Sequence, residues 1–348
     1  MHSVSTEIQI HRLTHDYQAW DQYVLANSEA SLYHRTGWKR VIEHTFGHAT
    51  AYLYASQHGR IVGILPIVLL KSRLFGTFGV SLPFLNYGGL VAENDAIRRR
   101  LLDDAIAWGQ QHRAAHLELR HTHPYDLGLP TKTSKVLMIL DLPGSPDDLW
   151  TSFKSKLRSQ IRRPQKEGCT VKFGQWDELD NFYAVFAQKM RDLGTPVHTK
   201  RLFQQILQEF PDSARICTVY ADAQPVASGF LVGDDARLQI PWAASIRAYD
   251  RVGVNMLLYW TILKSACEQD YKQFDFGRST PHEGTYKFKA QWGATPVQCY
   301  WHYWLAPGVD LPELNPQNPK YQQAIRIWQR LPVAVTKIVG PRIVKYLP

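Results

Sequence analysis

Two hydrophobic periods alternate along this chain, and their order runs through twice. In the first half, alternating or continuous apolar runs predict strands at 7–10, 49–56, 61–70, 116–120 and 135–140, with a strand-like piece approaching 81–90. Helical spacing predicts helices at about 17–26, in the latter part of 31–46, and at about 95–113. His58-Gly59, between the two longest strand patterns, is a hairpin signal. The second half gives helices at 177–193 and 200–210, then strands at 214–221 and 226–232 around the turn Asp222-Ala223-Gln224-Pro225. A strand at 238–244, a helix at about 254–269 and a strand at 272–276 complete it. Hairpin, helix and closing strand follow at similar spacing in both halves, which predicts an internal duplication of one α/β (α+β) unit. The expected division is 1–143, 144–305 and a tail at 306–348, with the first boundary at the turn residues Asp141-Leu142-Pro143-Gly144.

Composition is that of a globular protein, 45% hydrophobic and 20% charged. At 348 residues, two domains fit better than one. The net charge of +9 points to an acidic partner: nucleic acid, a phosphorylated metabolite or an anionic membrane face. Four scattered cysteines with no C-x-x-C pair fit neither a disulfide framework nor a zinc site and predict reduced thiols. The first twenty residues lack a signal-peptide core, and the longest apolar run, 61–70, is about half a membrane span. The expectation is a cytoplasmic protein. His44/His48, His112/His116 and His121-x-His123 have metal-like spacing, but no further ligand is patterned near them, so no metal is expected.

Two stretches carry candidate chemistry. SPDDLWTSFKSKLRSQIRRPQKEG (145–168) reads as one helix, with Ser145 as N-cap and Pro146 in the first turn. Leu149, Phe153, Leu157 and Ile161 form an apolar stripe every four residues. No acid interrupts the basic run Lys154, Lys156, Arg158, Arg162, Arg163, Lys166, which favours an anion site over a merely solvated face. The second stretch, FDFGRSTPHEGTYKFKAQWG (274–293), closes a strand and continues into lysines and aromatics.

The K-x-R-x-x-I-R-R-x-x-K-x-G run of 156–168, the GTPV segment, FDFGRS…GTYKFKAQWG, SLYHRTGWKRVIEHTFGH, GILPIVLLKSRLFG and SLPFLNYGGL together resemble the FemAB family. More narrowly, they resemble its exosortase (PEP-CTERM) and exopolysaccharide-associated members. The resemblance covers nearly the whole chain, including the tail's LNPQNPKYQQAIRIWQRLP. It implies two tandem GNAT-like (N-acyltransferase-like) domains. It also implies transfer of an acyl or aminoacyl group, in the best-known members from tRNA, to an amine of a peptidoglycan, envelope or exopolysaccharide precursor. Two departures from the family stand out: Pro164, which predicts an early end to the basic helix, and the absence of the long helical arm of some tRNA-using members.

Direct transfer needs a base and oriented donors for the oxyanion. Asp275 is the candidate base or orienter, with Glu283 and Glu118 as alternatives. Lys287 and Lys289, on one face if the piece is a strand, would stabilise an oxyanion or phosphate, with Tyr286 and Phe288 turned toward the core. Arg278 and Ser279 would bind an anionic or carbonyl group, together with the cations of the basic helix. Phe84 and Tyr87, beside a glycine pair, suit a loop close to a ligand that forms one wall, and Trp242 is expected to line a groove. The diphosphate loop of coenzyme A enzymes is poorly matched by Asp250-Arg251-Val252-Gly253, where only the glycine fits. Aminoacyl-tRNA and acyl-CoA remain the two donors. The rivals are a coenzyme A-dependent N-acetyltransferase and a non-catalytic binder of RNA or polyanionic glycan; DNA is not expected. Ile325, Trp328, Leu331, Val335, Ile338 and Ile343 among basic residues make the tail either a peripheral contact with the inner membrane or a helix docked on the body.

Overall fold

The computed structural model describes residues 7–73, 75–312 and 319–347. In chain order the first elements are β1 (Gln9–Arg12), α1 (Tyr17–Ala26), α2 (Gly37–Phe46), β2 (Ala49–Gln57), β3 (Arg60–Ser72), β4 (Gly76–Val80) and β5 (Val91–Ala92). They continue with α3 (Asp95–Gln111), β6 (His116–His121), β7 (Thr131–Lys132), β8 (Val136–Asp141), α4 (Pro146–Ser152), α5 (Ser155–Lys166) and β9 (Thr170–Gly174). Next come α6 (Leu179–Leu193), α7 (Lys200–Glu209), β10 (Ala214–Ala221), β11 (Gln224–Gly233), β12 (Arg237–Ser245), α8 (Val254–Glu268) and β13 (Gln273–Ser279). The last are α9 (Gly284–Ala290), β14 (Thr295–Gln298), β15 (Tyr300–Leu305), α10 (Pro319–Arg330) and α11 (Val333–Val344).

These elements form two compact units. The first, residues 1–135, 298–313 and 345–348, holds a mixed sheet in the order β1-β2-β3-β4-β6-β15-β7, with β5 paired to β3. The second, residues 136–297 and 314–344, holds the order β14-β8-β13-β12-β11-β10-β9. The predicted hairpins and both closing strands are present. Among the described residues, β4 with β6 and β12 with β13 pair in parallel, one such pair in each sheet beside antiparallel neighbours. That is the duplicated α/β unit read from the sequence.

The unit boundaries differ from the predicted 143 and 305. Strand β8 pairs with β13, so the second unit begins at Val136. Strand β15, whose aromatic residues gave no sign of their partner, pairs along its length with β6, so 298–313 belong to the first unit.

The basic segment is two helices rather than one. Phe153 and Lys154 are extended (ψ 142° and 148°), which separates α4 from α5. The four-residue stripe survives the break, because Leu149, Phe153, Leu157 and Ile161 are all buried in the second unit's core. Nor does Pro164 end α5 early, since the helix runs on to Lys166. Proline removes the N–H that the Gln160 carbonyl would take. That carbonyl lies where a Cβ on Gly253, the N-cap of α8, would sit 3.4 Å away. The lost helical bond therefore falls at a close approach of α5 to α8.

The candidate acyl-transfer cleft of the second unit

The parallel pairing of β12 and β13 covers Arg237↔Gln273, Leu238↔Phe274 and Gln239↔Asp275, and there it stops. Beyond that point β12 follows β11 and β13 follows β8. Both strands carry register shifts where they part, β12 opposite Phe230/Val232 and β13 between Asp275 and Arg278. Bulges re-aim side chains and open backbone edges. The place where two parallel strands part at their C-terminal ends is where α/β folds place ligands.

Gly277 makes the bulge in β13 possible. Its φ of 77° lies in the left-handed region that a side chain resists. Two buried charges hold the same residue from opposite sides. Its N–H donates to Asp275 Oδ1 at 2.7 Å, and its carbonyl accepts from Lys289 Nζ at 3.0 Å. Lys289 also donates to the Arg278 carbonyl at 2.8 Å. Asp275 is 0% exposed and Lys289 8%. Burial pulls the Lys289 ammonium down to about 8, against the attraction of Asp275. An ammonium has three donors, and the two carbonyls engage two of them. Nearby, Ser279 Oγ is buried with no hydrogen-bond partner, and Arg278 is half-buried.

Lys289 reaches these carbonyls because GTYKFK is a helix and not the strand on which both lysines would share a face. Residues 284–290 are the helix α9, so Lys287 and Lys289 lie on different faces, with Lys287 exposed and Lys289 buried. Tyr286 is half-buried beside His282. Phe288 stands T-shaped to Tyr259 at 5.1 Å, and Tyr259 stacks on Phe276 at 5.5 Å. Trp292 meets Phe153, in the break between α4 and α5, at 5.5 Å. This aromatic seam ties the basic helix to the Phe274–Gly293 stretch, so the structure brings the two chemistry-bearing segments together.

On α5, Lys156, Arg162 and Arg163 are exposed and Arg158 is half-buried. Arg162 lies over the Trp150 ring at 5.2 Å, and Arg163 pairs with Glu167 at 3.0 Å. The N-terminus of α8, which has no side-chain cap, adjoins α5 at Gly253, so a helix-dipole positive end and a basic face share one region.

Three sequence expectations come out differently. Trp242 does not line a groove. The bulge turns it against Phe203 (5.2 Å) and Phe230 (5.9 Å), and it fills the core at 8% exposure. Glu118, the alternative base, belongs to the first unit and is engaged by Arg120 Nε at 2.6 Å and the Tyr303 hydroxyl at 2.8 Å. Phe84 and Tyr87 also belong to the first unit. Phe84, at φ 72°, packs on Phe46, and Tyr87 is buried against Tyr33. Glu283 is exposed at the start of α9.

The first unit has the same parting of strands, and a loop enters it. Strands β4 and β6 pair at Gly79↔Leu117 and Val80↔Glu118, and the SLPFLNYGGL loop then occupies the gap. Ser81 N–H donates to the Glu118 carbonyl (2.8 Å), Gly88 N–H to the Arg120 carbonyl (3.1 Å), and Arg120 Nη1 to the Leu85 carbonyl (2.9 Å). Among the described residues no group of three or more His, Cys, Asp or Glu is arranged to hold a metal ion.

Residues 151–290 match the family model described as an acetyltransferase (GNAT) domain. No curated protein matches the chain by sequence. Among solved structures, FemX shares 15% identity at TM-score 0.66, over 92% of this chain and 100% of its own. The C-terminal domain of a putative lysylphosphatidylglycerol synthetase from Agrobacterium fabrum shares 13% at 0.57, over 94% and 96%. A tandem GNAT protein from the clavulanic acid biosynthesis pathway shares 13% at 0.55, over 86% and 98%.

Proposed function

We propose, for a chain that is a FemAB-like tandem GNAT protein in fold, that the β12–β13 cleft of its second unit transfers an acyl or aminoacyl group to an amine of an envelope or exopolysaccharide precursor. One observation carries the reading: the two parallel strands part at Asp275 and Gln239, and a buried lysine with a donor to spare stands at that point. The amine nitrogen attacks the carbonyl carbon of the donor, and negative charge collects on the carbonyl oxygen. Lys289 and the Ser279 hydroxyl are the donors for that oxygen. The intermediate collapses by expelling the donor's alkoxide or thiolate, and the proton lost by the amine goes to that leaving group or to solvent. Asp275 acts as a positioning residue, because its Oδ1 holds the Gly277 bulge.

The basic face of α5, with Arg162 and Arg158, and the exposed Lys287 suit a phosphate-bearing partner: a nucleotide-linked acceptor or the tRNA of an aminoacyl donor. FemX and a putative lysylphosphatidylglycerol synthetase share the fold, which supports the aminoacyl alternative without naming the substrate. The rivals are a coenzyme A-dependent N-acetyltransferase and a non-catalytic polyanion binder.

A thermal-shift panel of acetyl-CoA, longer acyl-CoAs, charged tRNA, UDP-amino sugars and UDP-linked peptides separates these readings. A shift with charged tRNA or a UDP-linked compound, abolished in Arg162→Ala and Lys287→Ala, supports the transferase. A shift with acetyl-CoA alone supports the first rival. Salt-labile shifts with every polyanion support the second.

A further inference from the structure

The chain from 319 to 348 holds six basic residues (Lys320, Arg326, Arg330, Lys337, Arg342, Lys345) and no acidic one. Helices α10 and α11 within it dock on the second unit by one face each. On α11, Thr336, Gly340 and Val344 recur every four residues and are buried. Gly340 is required there, since a Cβ would lie 2.8 Å from the Val197 backbone nitrogen. On α10, Ile325 packs on Gly194, where a Cβ would meet it at 2.5 Å. These contacts fix which faces look outward. Ile338, two positions from both Thr336 and Gly340, stands on the far side of α11 and is 63% exposed, with Val335 at 38%. Ile327 of α10 is 57% exposed, and Leu193, at the end of α6, is 52% exposed. Arg326, Arg330 and Arg342 are exposed on the same two helices.

Single exposed aliphatics are ordinary. Here they fall on two short helices whose charge is of one sign, the composition of a helix that lies in a bilayer interface. No helix among the described residues is long and apolar enough to cross a membrane, so contact through these helices is peripheral.

We propose that the outward face of α10 and α11 docks the protein on an anionic phospholipid surface. Ile327, Val335 and Ile338 enter the headgroup boundary, and Arg326, Arg330 and Arg342 meet lipid phosphates. The proposal stands independently of the transfer reaction.

The test is co-sedimentation of the full chain with vesicles of phosphatidylcholine alone or mixed with phosphatidylglycerol. The expected result is binding to the mixed vesicles only, reduced by added salt. Partitioning should fall roughly fivefold for each of Arg326→Gln and Arg330→Gln, and more than that in Ile327→Glu/Ile338→Glu. All of these positions are exposed, so melting temperatures should match the parent. Lys156→Gln/Arg163→Gln on α5 serves as the control and should bind as the parent does. Absence of binding at low salt overturns the proposal, as does binding lost in the α5 variant but kept in Ile327→Glu/Ile338→Glu. A concentration-dependent dimer that Ile327→Glu/Ile338→Glu dissociates, without vesicle binding, would assign the face to a second copy of the chain instead.

Discussion

His34 and His121 hold the two ends of one peptide unit in the first unit. His34 Nε2 donates to the Gly89 carbonyl at 2.9 Å, and the Leu90 N–H, in the same peptide group, donates to His121 Nε2 at 3.0 Å. The partners fix the tautomers. Ser31 N–H donates to His34 Nδ1 at 3.1 Å, so the His34 proton is on Nε2. His121 accepts at Nε2 and so donates from Nδ1 to His302 Nδ1 at 2.9 Å. His302 then donates from Nε2 to the Tyr125 carbonyl at 2.9 Å. Every imidazole in the set is neutral, and every ring nitrogen in it is engaged.

Protonating this clamp costs stability. Burial lowers His34 from 6.5 to about 4 and holds His121 well below its ordinary range. A histidine with a depressed folded pKa takes up its proton more readily in the unfolded chain. Its contribution is therefore complete above about pH 6.5 and is lost as the pH falls from there toward 4. For His34 alone the loss is about 3 kcal/mol across that window. Urea midpoints measured from pH 7.5 to 4.5 should fall steeply below 6.5 in the parent and less steeply in His34→Gln. Equal slopes would show that His34 does not drive the acid sensitivity.

Gly89 is small because the clamp leaves no room for a side chain. A Cβ there would lie 2.2 Å from His121 Cδ2, so Gly89→Ala must push the imidazole off the Leu90 N–H. The expected cost is about 2–3 kcal/mol, read as a lowered melting temperature. Gly144→Ala, where a Cβ meets nothing within 4 Å, should leave the melting temperature nearly unchanged.

Much of this architecture was legible because period decides the element wherever a face is buried. Both hairpins, the helices at 95–111 and 254–268 and the strand ending in FDFGR announced themselves in this way. GTYKFK stayed open between strand and helix for the same reason. Its alternation mimics a strand, but the helix lets Phe288 meet Tyr259 while Lys289 meets two carbonyls, and tertiary contact outweighed the pattern. Trp242 changed faces through a bulge, which a two-residue period cannot register. The pairing of β15 with β6 joins residues about 180 positions apart, and nothing local encodes it. At the site, Asp275 and Lys289 were named from the sequence. The joining element, a glycine bulge held by both charges, needed the fold.

Lys289 should show its charge state in the rate. An oxyanion donor must be protonated, and burial brings this ammonium down to about 8, so turnover should decline above pH 8. In Lys289→Gln, turnover should drop at least tenfold and the decline above pH 8 should vanish. The stability effect has the opposite sign. Folding disfavours the charged lysine, so that penalty is present below pH 8 and is relieved as the pH rises from 8 toward 10.5. A parent rate that is flat to pH 10 would remove Lys289 from the chemistry and leave it as a brace for the bulge.

Binding and turnover should separate along α5. Arg162 is exposed over Trp150, far less constrained than Lys289, so Arg162→Ala should leave the melting temperature within about a degree of the parent. If the basic face holds a phosphate, the same variant should raise KM for a phosphate-bearing substrate about tenfold with kcat nearly unchanged. Arg162→Lys keeps the charge but loses the planar stack and the two-pronged donor set, so it should recover only part of the affinity. Full recovery by lysine would mean that α5 supplies only diffuse positive charge. An unchanged KM in both variants would place the anion elsewhere, with the exposed Lys287 of α9 the next residue to substitute.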